Sequence, residues 1–261
     1  MSFITDSSTP LTSILAGSSS GLLVRFFISP IDVVKIRLQL SNHSSLTSTV
    51  YHIVRKEGIR AFWKGNIPAE LLYVIYGASQ FTSFTIVSNV VPLHDGPLKD
   101  MIVGATAGSM ATVISYPFDL LRTRLASYTK SGSKSLLLSI REIWKENGPL
   151  GFFKGCQVGI GYISILTGIS FGSYSFMKRR DMDSAVAGGI AGLLSKTFVY
   201  PLDLIKRRLQ IKGNLLNHIK QIYRINGFRG FYRGLSLALL KSVPSTALSL
   251  YFYEFFTKLY S

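Results

Sequence analysis

Three cations stand where this 261-residue chain is otherwise too apolar to accommodate charge: Arg25, Lys196 and Lys241. None has an obvious acidic neighbour in sequence. Ionisable groups within long apolar runs are costly and usually functional, and unpaired cations there predict an anionic ligand, with phosphate or pyrophosphate as the natural partner. Arg25 and Lys196 each precede a proline by five residues, and each lies two helical turns, roughly 10 Å, from an aspartate on the same face. Both are therefore expected to point into one central cavity. A lysine near a membrane edge can instead snorkel, which suits a terminal residue but not three cations near mid-span. Tyr73, Tyr76 and Tyr162 offer a stacking surface for a heteroaromatic ring; taken singly, each also suits packing or an interface anchor.

A second set of charges is repetitive. PIDVVKIRLQ (30–39), PFDLLRTRLA (117–126) and PLDLIKRRLQ (201–210) place Asp32, Asp119 and Asp203 two positions after a proline, with Lys35, Arg122 and Lys206 three further on. Aspartate and cation fall on nearly the same helical face, so a local pair within each helix is one arrangement available to them. Proline removes a backbone hydrogen bond and kinks a helix, which turns these ends inward. Recurrence at about one third of the chain length makes this a three-repeat protein, expected at 1–95, 96–181 and 182–261.

The elements that carry these residues are membrane spans. Six apolar segments are long enough to cross a bilayer, at roughly 10–40, 66–91, 97–127, 156–180, 183–212 and 235–260. With two spans per repeat, the repeats share one orientation, which predicts an all-α bundle with a pseudo-three-fold axis along the membrane normal. The three longer loops are basic and lie on one side: Arg55, Lys56, Arg60 and Lys64; Lys130, Lys134, Arg141, Lys145 and Lys154; and Lys212, Lys220, Arg224, Arg229 and Arg233. The net charge of +16 thus sits in loops between apolar spans. Leu215, Leu216, Ile219, Ile222 and Tyr223 are spaced for a short surface helix. Gly17 and Gly21, Gly104 and Gly108, and Gly188 and Gly192 recur in step with the prolines, and are expected to let helix backbones approach closely. The residues before Arg25 contain no Lys or Arg and include Asp6, so no cleaved presequence is expected.

Together these features resemble the mitochondrial carrier family. The resemblance rests on three copies of P-x-[DE]-x-x-[KR] and three of a Gly-aromatic-basic-Gly element: EGIRAFWKG (57–65), NGPLGFFKG (147–155) and NGFRGFYRG (226–234). It covers essentially the whole chain. Asn147 and Asn226 depart from it by replacing an acid, and Ala126 stands where Gln39 and Gln210 occur in the other repeats. The resemblance implies a ring of inter-helix pairs, Asp32 with Arg122, Asp119 with Lys206 and Asp203 with Lys35, closing the basic-loop, matrix side. Gln39 and Gln210 would brace two of these pairs and leave the third unbraced. It further marks Leu72, Tyr162 and Lys241 as substrate contact points, with Thr112 and Ile163 in the same site. A second gate on the cytoplasmic side is implied at Glu254. That gate looks thin, because Thr85, Ser88, Ser175 and Thr257 occupy positions often charged in relatives and Lys178 is its only obvious cation. The empty carrier is therefore expected to rest open to the matrix more easily. Glu70 is left to a loop cation or to lipid headgroups.

The family implies a multi-pass inner-membrane carrier working by alternating access. Thiamine pyrophosphate suits three cations plus aromatics, exchanged against nucleotides or phosphate compounds; coenzyme A or an adenine nucleotide is the alternative cargo. Basic loops and glycine-bearing helix starts also suit cardiolipin headgroups. A nucleic-acid binder would gather its charge on one face of a soluble fold, and intact motifs in all three repeats count against a non-transporting scaffold. An enzyme finds no support: there is no nucleophile–base–acid set, no metal cluster among four His and the single Cys156, which suits packing, and no cofactor is expected.

Overall fold

A computed structural model describes residues 10–41, 45–92, 96–129, 135–211 and 214–260, so Asp6, Lys130, Lys134 and Lys212 lie outside the described residues. The described elements are all helical. They are α1 (Pro10–Leu40), α2 (Leu46–His52), α3 (Asn66–Val90), α4 (Pro97–Ser127), α5 (Leu136–Asn147), α6 (Cys156–Lys178), α7 (Ser184–Ile211), α8 (Leu215–Asn226), α9 (Leu235–Leu240) and α10 (Ser242–Tyr260).

Five segments have the length and apolarity to cross a membrane: 59–90, 98–127, 149–178, 184–211 and 228–260. Helix α1 matches them in length, at 31 residues. The span expected at 235–260 lies within the last of the five. It breaks at Lys241, between α9 and α10. Pro244 has no N–H for the Leu240 carbonyl and its ring crowds that group, which accounts for the break.

Helices α1, α4 and α7 run through Pro30, Pro117 and Pro201. The carbonyl that Pro30 orphans, that of Phe26, accepts the Trp63 indole N–H at 3.0 Å. The residue before each proline ties its helix to the short 3-10 turn of the same repeat. Ser29 donates to Phe62 O (3.1 Å), Tyr116 to Lys154 O (2.9 Å) and Tyr200 to Arg233 O (2.8 Å). Each turn ends on a left-handed glycine, Gly65, Gly155 or Gly234, with φ of 82°, 84° and 85°. These glycines also sit in close quarters. A Cβ at Gly65 would meet Arg122 O at 2.8 Å, one at Gly155 would meet Leu209 Cβ at 3.1 Å, and one at Gly234 would meet the Tyr200 hydroxyl at 2.9 Å. The first two contacts join one repeat to the next; Gly234 also approaches Leu38, which joins the last to the first.

The close approach expected of the paired glycines occurs in the second repeat and not in the first and third. A side chain at Gly104 would meet Phe171 and Thr167, and one at Gly108 would meet Ile163, but Gly17, Gly21, Gly188 and Gly192 have nothing within 4 Å. The buried row lies one residue earlier: Ala16, Ser20 and Val24; Val103, Ala107 and Ala111; Ala187, Ala191 and Ser195. One step rotates a helical position by about 100°, enough to take the glycine off the packed face. The surface helices anchor through one isoleucine each, with Ile53, Ile143 and Ile222 fully buried in three separate apolar clusters. Of the spaced residues in α8, Ile222 and part of Ile219 pack inward, whereas Leu215, Leu216 and Tyr223 are exposed.

Acid at the Gly-aromatic-basic-Gly element matters most in the first repeat. Arg37 grips Glu57 with both terminal nitrogens (2.5 and 2.9 Å) and Lys64 adds a third contact at 2.6 Å. In the second repeat Arg124 reaches Glu146, beside Asn147, at a longer 3.4 Å. Burial disfavours the ionised Glu57 carboxyl, but hydrogen bonds and charge from Arg37 and Lys64 outweigh it and hold the group below its ordinary value of 4.5. A carboxyl lowered on folding stabilises fully above its unfolded value, and that stabilisation is lost as pH falls through the lower folded value. Glu57→Gln is therefore expected to lower the unfolding temperature in detergent at neutral pH. The deficit should shrink as pH drops below 4.5; a deficit constant with pH would mean the carboxylate charge is not what matters.

Candidate functional site

The three aspartates converge between α1, α4 and α7 and draw in more cations than their repeats supply. Asp203 accepts from Lys35 at 2.7 Å, Asp119 from Lys206 at 2.7 Å, and Asp32 from Arg122 at 2.5 Å. These are inter-helix contacts, not pairs within one helix. Two glutamines join them. Gln39 donates to Asp203 at 3.0 Å and Gln210 to Asp119 at 2.9 Å. The lysines also lie over the tyrosines that precede the prolines, with Lys35 and Lys206 each 5.4 Å from the ring centres of Tyr200 and Tyr116. Below this layer the helix ends are stitched together, as Arg37 donates to Ala126 O (3.0 Å) and Arg208 to Gln39 O (2.9 Å).

The third carboxylate corrects the sequence expectation. Asp32 has no glutamine, because Ala126 occupies that position, and two of the cations expected to be unpaired take the vacant oxygens. Arg25 approaches at 3.1 Å and Lys241 at 2.5 Å. Linear sequence hides both contacts: Arg25 reaches Asp32 two turns along one helix, and Lys241 crosses from the α9–α10 break. Arg25 consequently turns away from the main cavity, into a small space beside Lys64, Gly65 and Asn66. Its guanidinium lies 3.4 Å from the Tyr73 ring centre, so one face of that tyrosine is already covered. Lys196 does line the cavity and donates to Ser242 at 2.7 Å, with no carboxylate partner among the described residues.

Arg207 escaped the sequence reading and is central. Its Nη1 donates to Asp119 (2.8 Å), Thr123 (2.6 Å) and Gln210 (3.3 Å), while its Nε lies 3.8 Å from Asp203. The signal was a broken symmetry: Ile36 and Thr123 hold the same position in the other repeats.

Above this floor are two adjoining cavities. The larger, about 390 Å³, is lined by six cations (Lys35, Arg122, Lys196, Lys206, Arg207 and Lys241) against two carboxylates, Asp32 and Asp203. The smaller, about 180 Å³, holds Leu72, Tyr76, Thr112 and Ile163. Tyr73 and Tyr162 line both. Every residue expected at the substrate site except Arg25 thus borders one of the two.

Residues of the expected second gate do not meet. Glu254, Lys178 and Thr85 are exposed, Lys178 reaches only the Met182 carbonyl at 3.4 Å, and no ion pair joins Glu254 to Lys178 among the described residues. The expectation that the empty carrier rests open at the basic-loop end is reversed in this conformation, where the basic-loop pairs are formed and the opposite ones are not. Inter-helix pairs plus glutamines outnumber the single acid and cation at the other end. Glu70, left without an account, accepts from Asn66 at 3.2 Å.

Apolar helices around a cationic cavity, floored by interlocked ion pairs, define a membrane solute carrier. The chain belongs to the mitochondrial carrier family, multi-pass proteins of the mitochondrial inner membrane: the family pattern for mitochondrial carrier protein matches residues 6–95, 93–183 and 180–261. Relatives named mitochondrial thiamine pyrophosphate carrier 1 are similar along most of their length. Those from Aspergillus terreus and Aspergillus oryzae are each 38% identical, over 95% of this chain and 92% and 93% of theirs. One from Candida glabrata is 38% identical over 94% of this chain and 93% of its own.

Removing one member of a buried, charge-assisted hydrogen bond costs roughly 1.5–3 kcal/mol. Arg207→Gln should accordingly lower the unfolding temperature in detergent by several degrees, while Thr123→Val, which removes one of its lesser partners, should lower it less. Equal small effects would show that Arg207 does not hold the aspartates together.

Proposed function

We propose that this protein exchanges thiamine pyrophosphate across the mitochondrial inner membrane against nucleotides or phosphate compounds. It would do so by alternating access, as one transport unit of six spans in three repeats about a pseudo-three-fold axis. The observation that carries the reading is the excess of six cations over two carboxylates around the larger cavity. That surplus attracts an anion and disfavours a neutral or cationic cargo. The names of the relatives support the particular substrate.

The geometry supports a specific sequence of events. In the empty carrier Asp32 acts as the internal counter-ion of Lys241 and Arg25. An arriving phosphate group competes for Lys241, so substrate binding weakens the Asp32 cluster at the moment it adds its own contacts. A ligand shifts a conformational equilibrium only by its differential affinity for the two states, and exchanging a carboxylate for a more highly charged phosphate supplies that difference. The pairs on α1, α4 and α7 then part and the matrix end opens.

Liposomes loaded with thiamine pyrophosphate should take up the labelled compound; uptake of adenine nucleotides or coenzyme A alone would overturn the substrate assignment. Lys196→Ala and Lys241→Ala should each slow exchange by about tenfold or more, with helix content intact, and normal rates in both would remove the cation argument. Reversing Asp203 and Lys35 together should restore more exchange than either reversal alone.

A further inference from the structure

We infer that the two cavities bind the two halves of one substrate, with Ser245 and Thr246 as specificity residues for its diphosphate end. This rests on the function proposed above and adds to it an orientation. The cavities differ in chemistry. In the larger, Lys196 is held by the Ser242 hydroxyl, and Ser245 and Thr246 line the same wall. Ser242 in turn donates to Ala238 O at 3.2 Å, so its hydroxyl is committed to placing the lysine. Ser245 and Thr246 lie on the first turn after the helix break, one and two residues past Pro244. With Lys241 at the break, Ser245 presents a hydroxyl donor beside two ammonium groups. The Thr246 hydroxyl, which donates to Ser242 O at 3.1 Å, can exchange that backbone carbonyl for a phosphate oxygen. The set matches the many acceptor oxygens of a diphosphate.

The smaller cavity has no such set on its far wall. Arg122, Lys206 and Arg207 reach it from the floor beside Asp119, while Leu72, Tyr76 and Ile163 form the opposite wall. Gly108 leaves the room, since a Cβ there would meet Ile163 at 3.1 Å and the Tyr76 hydroxyl at 3.7 Å. At about 180 Å³ the space is close to the roughly 150 Å³ that holds benzene in an apolar cavity. It has room for a heteroaromatic ring. Tyr73 and Tyr162, shared by both cavities, mark the junction where the linker between ring and diphosphate lies. A pyrimidine-type ring joined to a diphosphate satisfies both halves.

The test measures inhibition of exchange by inorganic pyrophosphate, by thiamine and by thiamine pyrophosphate, together with heat protection by pyrophosphate in detergent. Ser245→Ala/Thr246→Ala should weaken pyrophosphate and thiamine pyrophosphate by about tenfold and leave thiamine unchanged; restoring the hydroxyl with Thr246→Ser should recover part of the loss. Gly108→Ala should weaken thiamine and thiamine pyrophosphate and leave pyrophosphate unchanged. Ile163→Phe fills the same space from the opposite wall and guards against a folding defect in Gly108→Ala. Shifts equal for all three ligands, or none, would overturn the divided site. If the wild type fails to exchange thiamine pyrophosphate, the proposed function fails, yet pyrophosphate protection and its loss in the serine–threonine variant still decide the diphosphate subsite.

Discussion

Three carboxylates, Asp32, Asp119 and Asp203, are buried where a bilayer excludes water, and the rest of the bundle depends on neutralising them. A buried charge without its partner costs about 3–5 kcal/mol, so α1, α4 and α7 must meet where their aspartates can trade cations. Each aspartate takes its first cation from another helix. That exchange, rather than apolar packing, makes the three helices interdependent. It also differs from a mere closure, because the cations exceed the acids. The floor remains positive after every aspartate is satisfied, which leaves it suited to an anion from above.

Three-fold repetition builds the scaffold, and departures from it build the site. The turns with left-handed glycines, the hydroxyl before each proline and the single buried isoleucine of each surface helix recur with little change. These features set distances. The chemistry lies where the repeats disagree. Ala126 lacks the amide that Gln39 and Gln210 provide, which leaves Asp32 open to Arg25 and Lys241. Arg207 replaces Ile36 and Thr123 and couples two aspartates. Pro244 breaks the last helix where Lys241 crosses to Asp32. A symmetric ring would bind a symmetric ligand; the substitutions give the cavity a cationic side and an apolar one.

The two ends of the bundle are unequal for the same electrostatic reason. At the basic-loop end, pairs, glutamines, tyrosines and arginine-to-carbonyl bonds form several layers. At the other, Glu254 stands exposed and separate from Lys178. Closing that end relies less on protein charge pairs, so bound substrate carries more of the balance between the two states.

The sequence by itself determined the repeat, the helical class and the membrane setting, because proline, aspartate and cation recur at fixed spacing and apolar runs separate basic loops. Spacing alone left each aspartate a partner on its own helix, and the three inter-helix pairs came from the family resemblance. The same resemblance marked Leu72, Thr112, Tyr162 and Ile163, all of which border the cavities. Only the tertiary structure decided who partners whom beyond the repeat. Arg25 and Lys241 have no acidic neighbour in a linear reading, yet converge on one carboxylate from two helices. Of the glycines read as contact residues, Gly104 and Gly108 pack against a neighbouring helix, whereas Gly17, Gly21, Gly188 and Gly192 lie off the packed face, as helix rotation about its axis is set by neighbours and not by local pattern. Arg207 became visible as a bridge once two aspartates from different helices stood on either side of it.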